Sequence, residues 1–154
     1  MNRILKNTPK EYLVQKINHS YPPYNKSENF ESYFYNYFIS NEIKSNLTYI
    51  PIQWTEFHSQ NGFGEKKEEI QNFIDTKIQK DMRYFTIVQY AGGPLIKLKN
   101  CIIFSQGGVF DNYNSTVVPL PLITKERVVH GNKKKIYKAS YIGRETHPIR
   151  KKME

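Results

Sequence analysis

The sequence predicts an α/β domain built on a parallel or mixed sheet. Two observations carry this reading. Short apolar runs rich in β-branched and aromatic residues recur at Leu47–Gln53, Tyr84–Tyr90, Cys101–Ser105 and Thr116–Ile123. Stretches with a helical apolar period stand among them, after Ser27 and over Lys66–Lys80. Strands alternating with helices favour parallel pairing through helical crossovers. A chain of 154 residues with 14% aromatics also has the apolar area for a core.

In chain order, residues 1–11 are polar and expected to be loosely ordered. Tyr12–Asn18 alternates apolar and polar residues, which predicts a short strand. His19–Ser27 holds Pro22 and Pro23 and predicts a loop. Ser27 is the expected N-cap of a helix with Glu28 in its first turn. Phe30, Phe34, Tyr37 and Phe38 share one face of that helix, an aromatic stripe for the core. Leu47–Gln53 predicts a strand, and Pro51 assigns it to an edge or a bulge. Trp54–Gly64 predicts a loop. Lys66–Lys80 gives the clearest helix, with Ile70, Phe73, Ile74 and Ile78 facing inward and Glu68 and Glu69 suited to its first turns. Tyr84–Tyr90, Cys101–Ser105 and Thr116–Ile123 predict three more strands. A basic connector spans 125–138, and Ala139–Ile142 restarts a strand.

The formal net charge is +9, which suggests a nucleic-acid partner. Two features weaken that inference. The chain has 18 Lys, 14 Asn and 17 Ile against 5 Arg and 2 Ala, the skew of an AT-rich coding sequence. The charge is also local. Residues 1–124 carry 13 basic and 11 acidic residues, a net of +2, whereas 125–154 carry 10 and 3, a net of +7. No RNA-recognition or helix-turn-helix pattern accompanies Lys133–Lys135, so no nucleic-acid partner is expected. No apolar run reaches the ~18 residues of a membrane helix. The opening MNRILKNTPKEYLVQKIN has no apolar core of a signal peptide. A cytoplasmic location is therefore expected, and the four Asn-x-Ser/Thr sequons at Asn18, Asn25, Asn46 and Asn114 are read as chance.

Ligands of parallel α/β sheets gather at the carboxyl ends of strands. Three glycine-bearing loops qualify: Trp54–Gly64, Tyr90–Pro94 and Gln106–Val109. Trp54, Glu56 and His58 make the first the densest in chemistry. An indole face packs on the apolar side of a sugar ring, and a carboxylate or imidazole accepts a hydroxyl proton. The alternative is that Trp54 belongs to the core and His58 merely to the surface. GFGEKK (62–67) lacks the third glycine of a dinucleotide fingerprint and the Gly-Lys-Ser/Thr end of a P-loop. His19, His58, His130 and His147 have no metal-ligand spacing, and no Asp-x-Asp pair occurs, so neither a metal nor a cofactor is expected. Cys101, the single cysteine, sits in an apolar strand and reads as core.

The phrases YLVQKINHSYPPY, YIPIQWTEFH, YFTIVQYAGGP, IIFSQGG, VVPLPLI and ASYIGRETHPIR occur in that order. The series resembles the N-terminal half of exostosin-like glycosyltransferases, viral and bacterial branch, over about residues 12–150. The resemblance implies a GT-B arrangement of two Rossmann-like domains. The N-terminal one, here 12–124, would face a glycan acceptor, and the other would hold a nucleotide-sugar for inverting transfer. Ala139–Ile142 and Gly143–Arg150 match only the opening of the donor domain, so no turnover is expected of this chain alone. On this reading His58 or Glu56 is the base and Trp54 contacts the acceptor. Gly92, Gly93, Gly107 and Gly108 shape the cleft floor. Arg144 reaches a donor phosphate, and His147 and Arg150 serve the domain junction. A non-catalytic glycan-binding module, or a gene relic, is the alternative, and a basic nucleic-acid-binding protein is a third.

Overall fold

The structure is a computed structural model that describes residues 3–13, 29–107 and 115–121. Among the described residues four strands form one sheet: β1 (Thr48–Tyr49), β2 (Tyr84–Val88), β3 (Cys101–Ser105) and β4 (Thr116–Pro119). All pair in parallel, and their spatial order is β1-β2-β3-β4. The predicted α/β class is therefore observed, and the sheet is parallel rather than mixed over these strands. Tyr84 lies opposite both Thr48 and Cys101, and Ile102 opposite Thr116. Beyond β1, Arg3–Leu5 runs alongside the sheet through an Ile4–Tyr49 bridge and the Leu5 N–H to Tyr49 carbonyl bond. This part of the N-terminus is thus held in place rather than loose.

Three α-helices of the described residues cover the sheet: α1 (Phe30–Ser40), α2 (Trp54–Gln60) and α3 (Lys67–Lys77). Every residue of β2 is buried, as a strand covered on both faces requires. On one face Tyr84 and Val88 join Trp54, Phe57, Ile70 and Ile74 of α2 and α3. On the other, Phe85 and Ile87 meet Phe38 of α1 and Tyr49. The second layer is aromatic, with ring centroids 5.0 Å apart for both Phe38–Tyr49 and Tyr49–Phe85. Phe30 and Phe34 complete the predicted stripe, but Tyr37 leaves it and is 49% exposed.

Four further expectations change. The Tyr12–Asn18 strand is replaced, where described, by a 3-10 turn over Lys10–Leu13 closed by the Tyr12 N–H to Pro9 carbonyl bond. Tyr12 points inward and meets Phe57 and Phe73 edge-on at 5.3 and 5.4 Å. The N-cap of α1 is Asn29, whose side chain accepts from Ser32 N–H, and not Ser27. Trp54–Gln60 is helix rather than loop, and Trp54, Thr55, Glu56, Phe57 and His58 are all buried, so this helix is enclosed around its first turn. The strand after Leu47 is short: Pro51 has no N–H to give, and the ladder ends once Ile50 N–H reaches Phe85 carbonyl. The loop at 19–27, the 125–138 connector and the 139–142 strand lie outside the described residues.

Candidate functional site: the carboxyl crest of the sheet

Two strands run directly into a glutamine at the edge where parallel α/β folds bind ligands. Gln89 and Gln106 directly follow the paired Val88 and Ser105, and Gln106 N–H donates to Val88 carbonyl at 2.9 Å. A third, Gln53, follows β1 by four residues, at the N-cap of α2. Each amide is oriented by a neighbour. Gln53 Oε1 accepts from Ser32 Oγ at 2.9 Å, Gln89 Oε1 from Phe30 N–H at 2.7 Å, and Gln106 Nε2 donates to Pro121 carbonyl at 3.1 Å. The signal was in the sequence, since IPIQ, TIVQ and IFSQ all end on glutamine, yet the glutamines were passed over for the more reactive side chains beside them.

Beneath this row lies Glu31, which the sequence did not single out. It is fully buried in the first turn of α1. Its carboxylate accepts Thr55 N–H at 3.0 Å, Thr55 hydroxyl at 2.8 Å and Gln89 N–H at 2.7 Å. α2 has no cap from its own N-cap residue, Gln53, so a carboxylate from another helix takes that place. Burial raises the Glu31 carboxyl to about 7, and the hydrogen bonds from Gln89, Thr55 and Tyr90 oppose part of that rise.

Trp54, Glu56 and His58 sit on α2 and are all buried. The Trp54 indole N–H donates to Thr86 Oγ1 at 2.8 Å, and that hydroxyl donates on to Ile50 carbonyl at 2.9 Å. Trp54 is core, as the alternative reading of this motif had it; His58 is not at the surface. Its Nε2 lies 3.0 Å from Pro94 carbonyl, which only accepts, so Nε2 carries the proton. Burial lowers the His58 pKa and favours the neutral ring. Nδ1 then holds a lone pair, with no hydrogen-bond partner among the described residues. The ring lies 5.1 Å from that of Tyr90. Glu56 Oε1 accepts a hydrogen bond from Gln60 Nε2.

The glycine loops meet one another. Gly93 closes a turn on Tyr90 carbonyl with φ of 72°, where a side chain is strained. A Cβ on Gly107 would stand 2.6 Å from Ala91 oxygen, so only glycine lets these loops touch. Gly92 lies in the same turn, between Ala91 and Gly93. Gly108, Arg144, His147 and Arg150 fall outside the described residues. GFGEKK forms no phosphate cradle: Lys67 N–H at the start of α3 already donates to Gly64 carbonyl, and Glu68 and Glu69 fill its first turn.

A cavity of about 320 Å³ opens at the opposite, amino end of the sheet, lined by Lys80, Asp81, Arg83, Asn100 and Thr116 among others. Among the described residues no three His, Cys, Asp or Glu come together as a metal site, and no helix is long and apolar enough to cross a membrane. No protein-family model, curated protein or solved structure matches the chain.

Proposed function

We propose that this chain supplies the acceptor-side domain of an exostosin-like glycosyltransferase, which moves a sugar from a nucleotide-sugar to a glycan acceptor. The carboxyl crest carries the proposal: a parallel sheet whose ligand edge is lined by amides, a hydroxyl-bearing helix start and a buried carboxylate. Amides bind sugar hydroxyls well because they both donate and accept. Of the two candidate bases, His58 has the suitable protonation state, with Nε2–H held by Pro94 carbonyl and Nδ1 unprotonated. The nucleotide-sugar would be held by a second domain. The test is an oligosaccharide binding screen with the chain. Glycan binding that maps to the crest supports the reading, and the absence of any saccharide binding overturns it. In a full-length enzyme, unchanged turnover on replacing both Glu56 and His58 by alanine removes the proposed base.

A glycan-binding module without turnover is the second reading. The observation in its favour is that Glu56 and His58 are 1% and 0% exposed, whereas a base must touch the acceptor hydroxyl. A full-length protein that binds glycan but releases no nucleotide from a donor favours this module.

A further inference from the structure

We propose that the crest takes an uncharged, hydroxyl-rich sugar in preference to a uronate, sulfated or phosphorylated one, and that Asn29 and Gln106 read its hydroxyls. This rests on the glycan reading above.

Three observations point the same way. The first is which buried atoms lack a partner. At the crest, Asn29 Nδ2 and Gln106 Oε1 have no hydrogen bond among the described residues. Their residues are 2% and 9% exposed. Buried polar groups are nearly always paired, so an orphan pair at the ligand edge of the sheet calls for a partner from outside the chain. The two amides are not open to inversion. Asn29 Oδ1 is fixed by Ser32 N–H at 2.7 Å, and Gln106 Nε2 by Pro121 carbonyl at 3.1 Å. One donor and one acceptor are therefore waiting. A hydroxyl answers both kinds, since it gives a proton and takes one. A carboxylate or sulfate only accepts, and would set its lone pairs against Gln106 Oε1.

The second observation is charge. The crest segments 29–32, 53–58, 89–94, 105–107 and 119–121 contain no lysine or arginine. They contain Glu31 and Glu56. The described cations lie elsewhere, Lys80 and Arg83 at the amino-end cavity. An anionic ligand at the crest finds no described counter-charge and two carboxylates nearby, a costly arrangement at a buried site.

The third is geometry. Asn29 precedes Phe30, whose N–H is bonded to Gln89 Oε1. Gln106 N–H is bonded to Val88, the residue before Gln89. Both segments that carry the unpartnered atoms are thus tied to the end of β2.

The experiment is an NMR titration of the full chain, following the side-chain amides of Asn29 and Gln106. One panel holds neutral gluco-, galacto-, manno- and N-acetylglucosamine oligosaccharides; the other holds oligogalacturonate, hyaluronan and heparin oligosaccharides. At least one neutral oligosaccharide is expected to shift both amides, and no acidic one. Heparin bound only to the basic 125–154 stretch leaves these amides unmoved and agrees with the proposal. Asn29→Asp keeps the oxygen that caps α1 and replaces the waiting donor by a carboxylate oxygen, so Asn29→Ser, an uncharged cap without the amide, is measured beside it. Both variants should bind the neutral sugar about tenfold more weakly. Unchanged binding in either variant overturns the role of the amide. Crest shifts from an acidic oligosaccharide alone, or equally from both panels, overturn the neutral preference while the glycan reading stands. Crest shifts from no saccharide overturn both.

Discussion

Glu31 caps a helix to which it does not belong: its carboxylate takes both the N–H and the hydroxyl of Thr55, at 3.0 and 2.8 Å, across 24 positions of sequence. With Gln89 N–H on the same carboxylate, one side chain fastens α1, α2 and the end of β2 together. Glu31→Ala leaves these buried donors without an acceptor and is expected to cost about 3–5 kcal/mol in urea unfolding. Glu31→Gln keeps an acceptor oxygen and should cost less than half of that.

The same carboxylate makes stability depend on pH. Its pKa rises from 4.5 to about 7 on folding, so between these values the folded protein holds a proton that the unfolded chain releases. The stabilisation is complete below pH 4.5 and lost as pH rises through 7, a difference of about 3 kcal/mol. The urea midpoint of the wild type should therefore fall over this range relative to that of Glu31→Gln. Parallel profiles for the two proteins would refute the linkage.

His58 acts in the opposite direction. Burial holds its pKa below 6.5, so the unfolded chain binds the proton more readily than the folded one. Its contribution is complete above pH 6.5 and declines as pH falls through the lower folded value. Imidazole ¹⁵N shifts at pH 6.5 should show Nε2 protonated and Nδ1 bare. A doubly protonated ring at that pH contradicts the assignment.

Trp54 is the one tryptophan of the chain and is 0% exposed, so its fluorescence reports on the core. Native emission should be blue-shifted and nearly insensitive to acrylamide, and oligosaccharides should not quench it by contact. Thr86→Val strips the indole N–H and Ile50 carbonyl of their shared hydroxyl and should cost about 2–4 kcal/mol. A native tryptophan readily quenched by acrylamide would restore it as a ligand platform.

Cys101 lines the first core layer at 3% exposure, and burial pushes its thiol pKa upward. The native protein should resist a disulfide reagent such as DTNB, with labelling limited by unfolding. Stoichiometric labelling within seconds in native buffer would contradict this burial.

Legibility in the sequence followed the range of the interactions. β2, β3 and α3 were readable because their signals are local: Tyr84–Val88 is uniformly apolar or β-branched, and Ile70 and Ile74 repeat at a helical period. α2 was missed because it carries no local start signal; its cap is supplied by Glu31 from another helix. The sequence of Tyr12–Asn18 has the apolar–polar pattern of a strand, but the Pro9 carbonyl and the rings of Phe57 and Phe73 draw Tyr12 into a turn. Glu31 was equally hidden, since an acidic residue in a helix's first turn is ordinarily solvated. Only the assembled sheet shows that it is enclosed.

The sheet order β1-β2-β3-β4 is also the order in which a ribosome delivers the strands. None must be threaded between two partners that have already paired. Each new strand finds its neighbour in place on one open side, and the connections from β2 to β3 and from β3 to β4 span only residues 89–100 and 106–115. Closures this short cost less chain entropy than longer crossovers would. The sheet can therefore grow while translation continues, with β4 left as the growing margin.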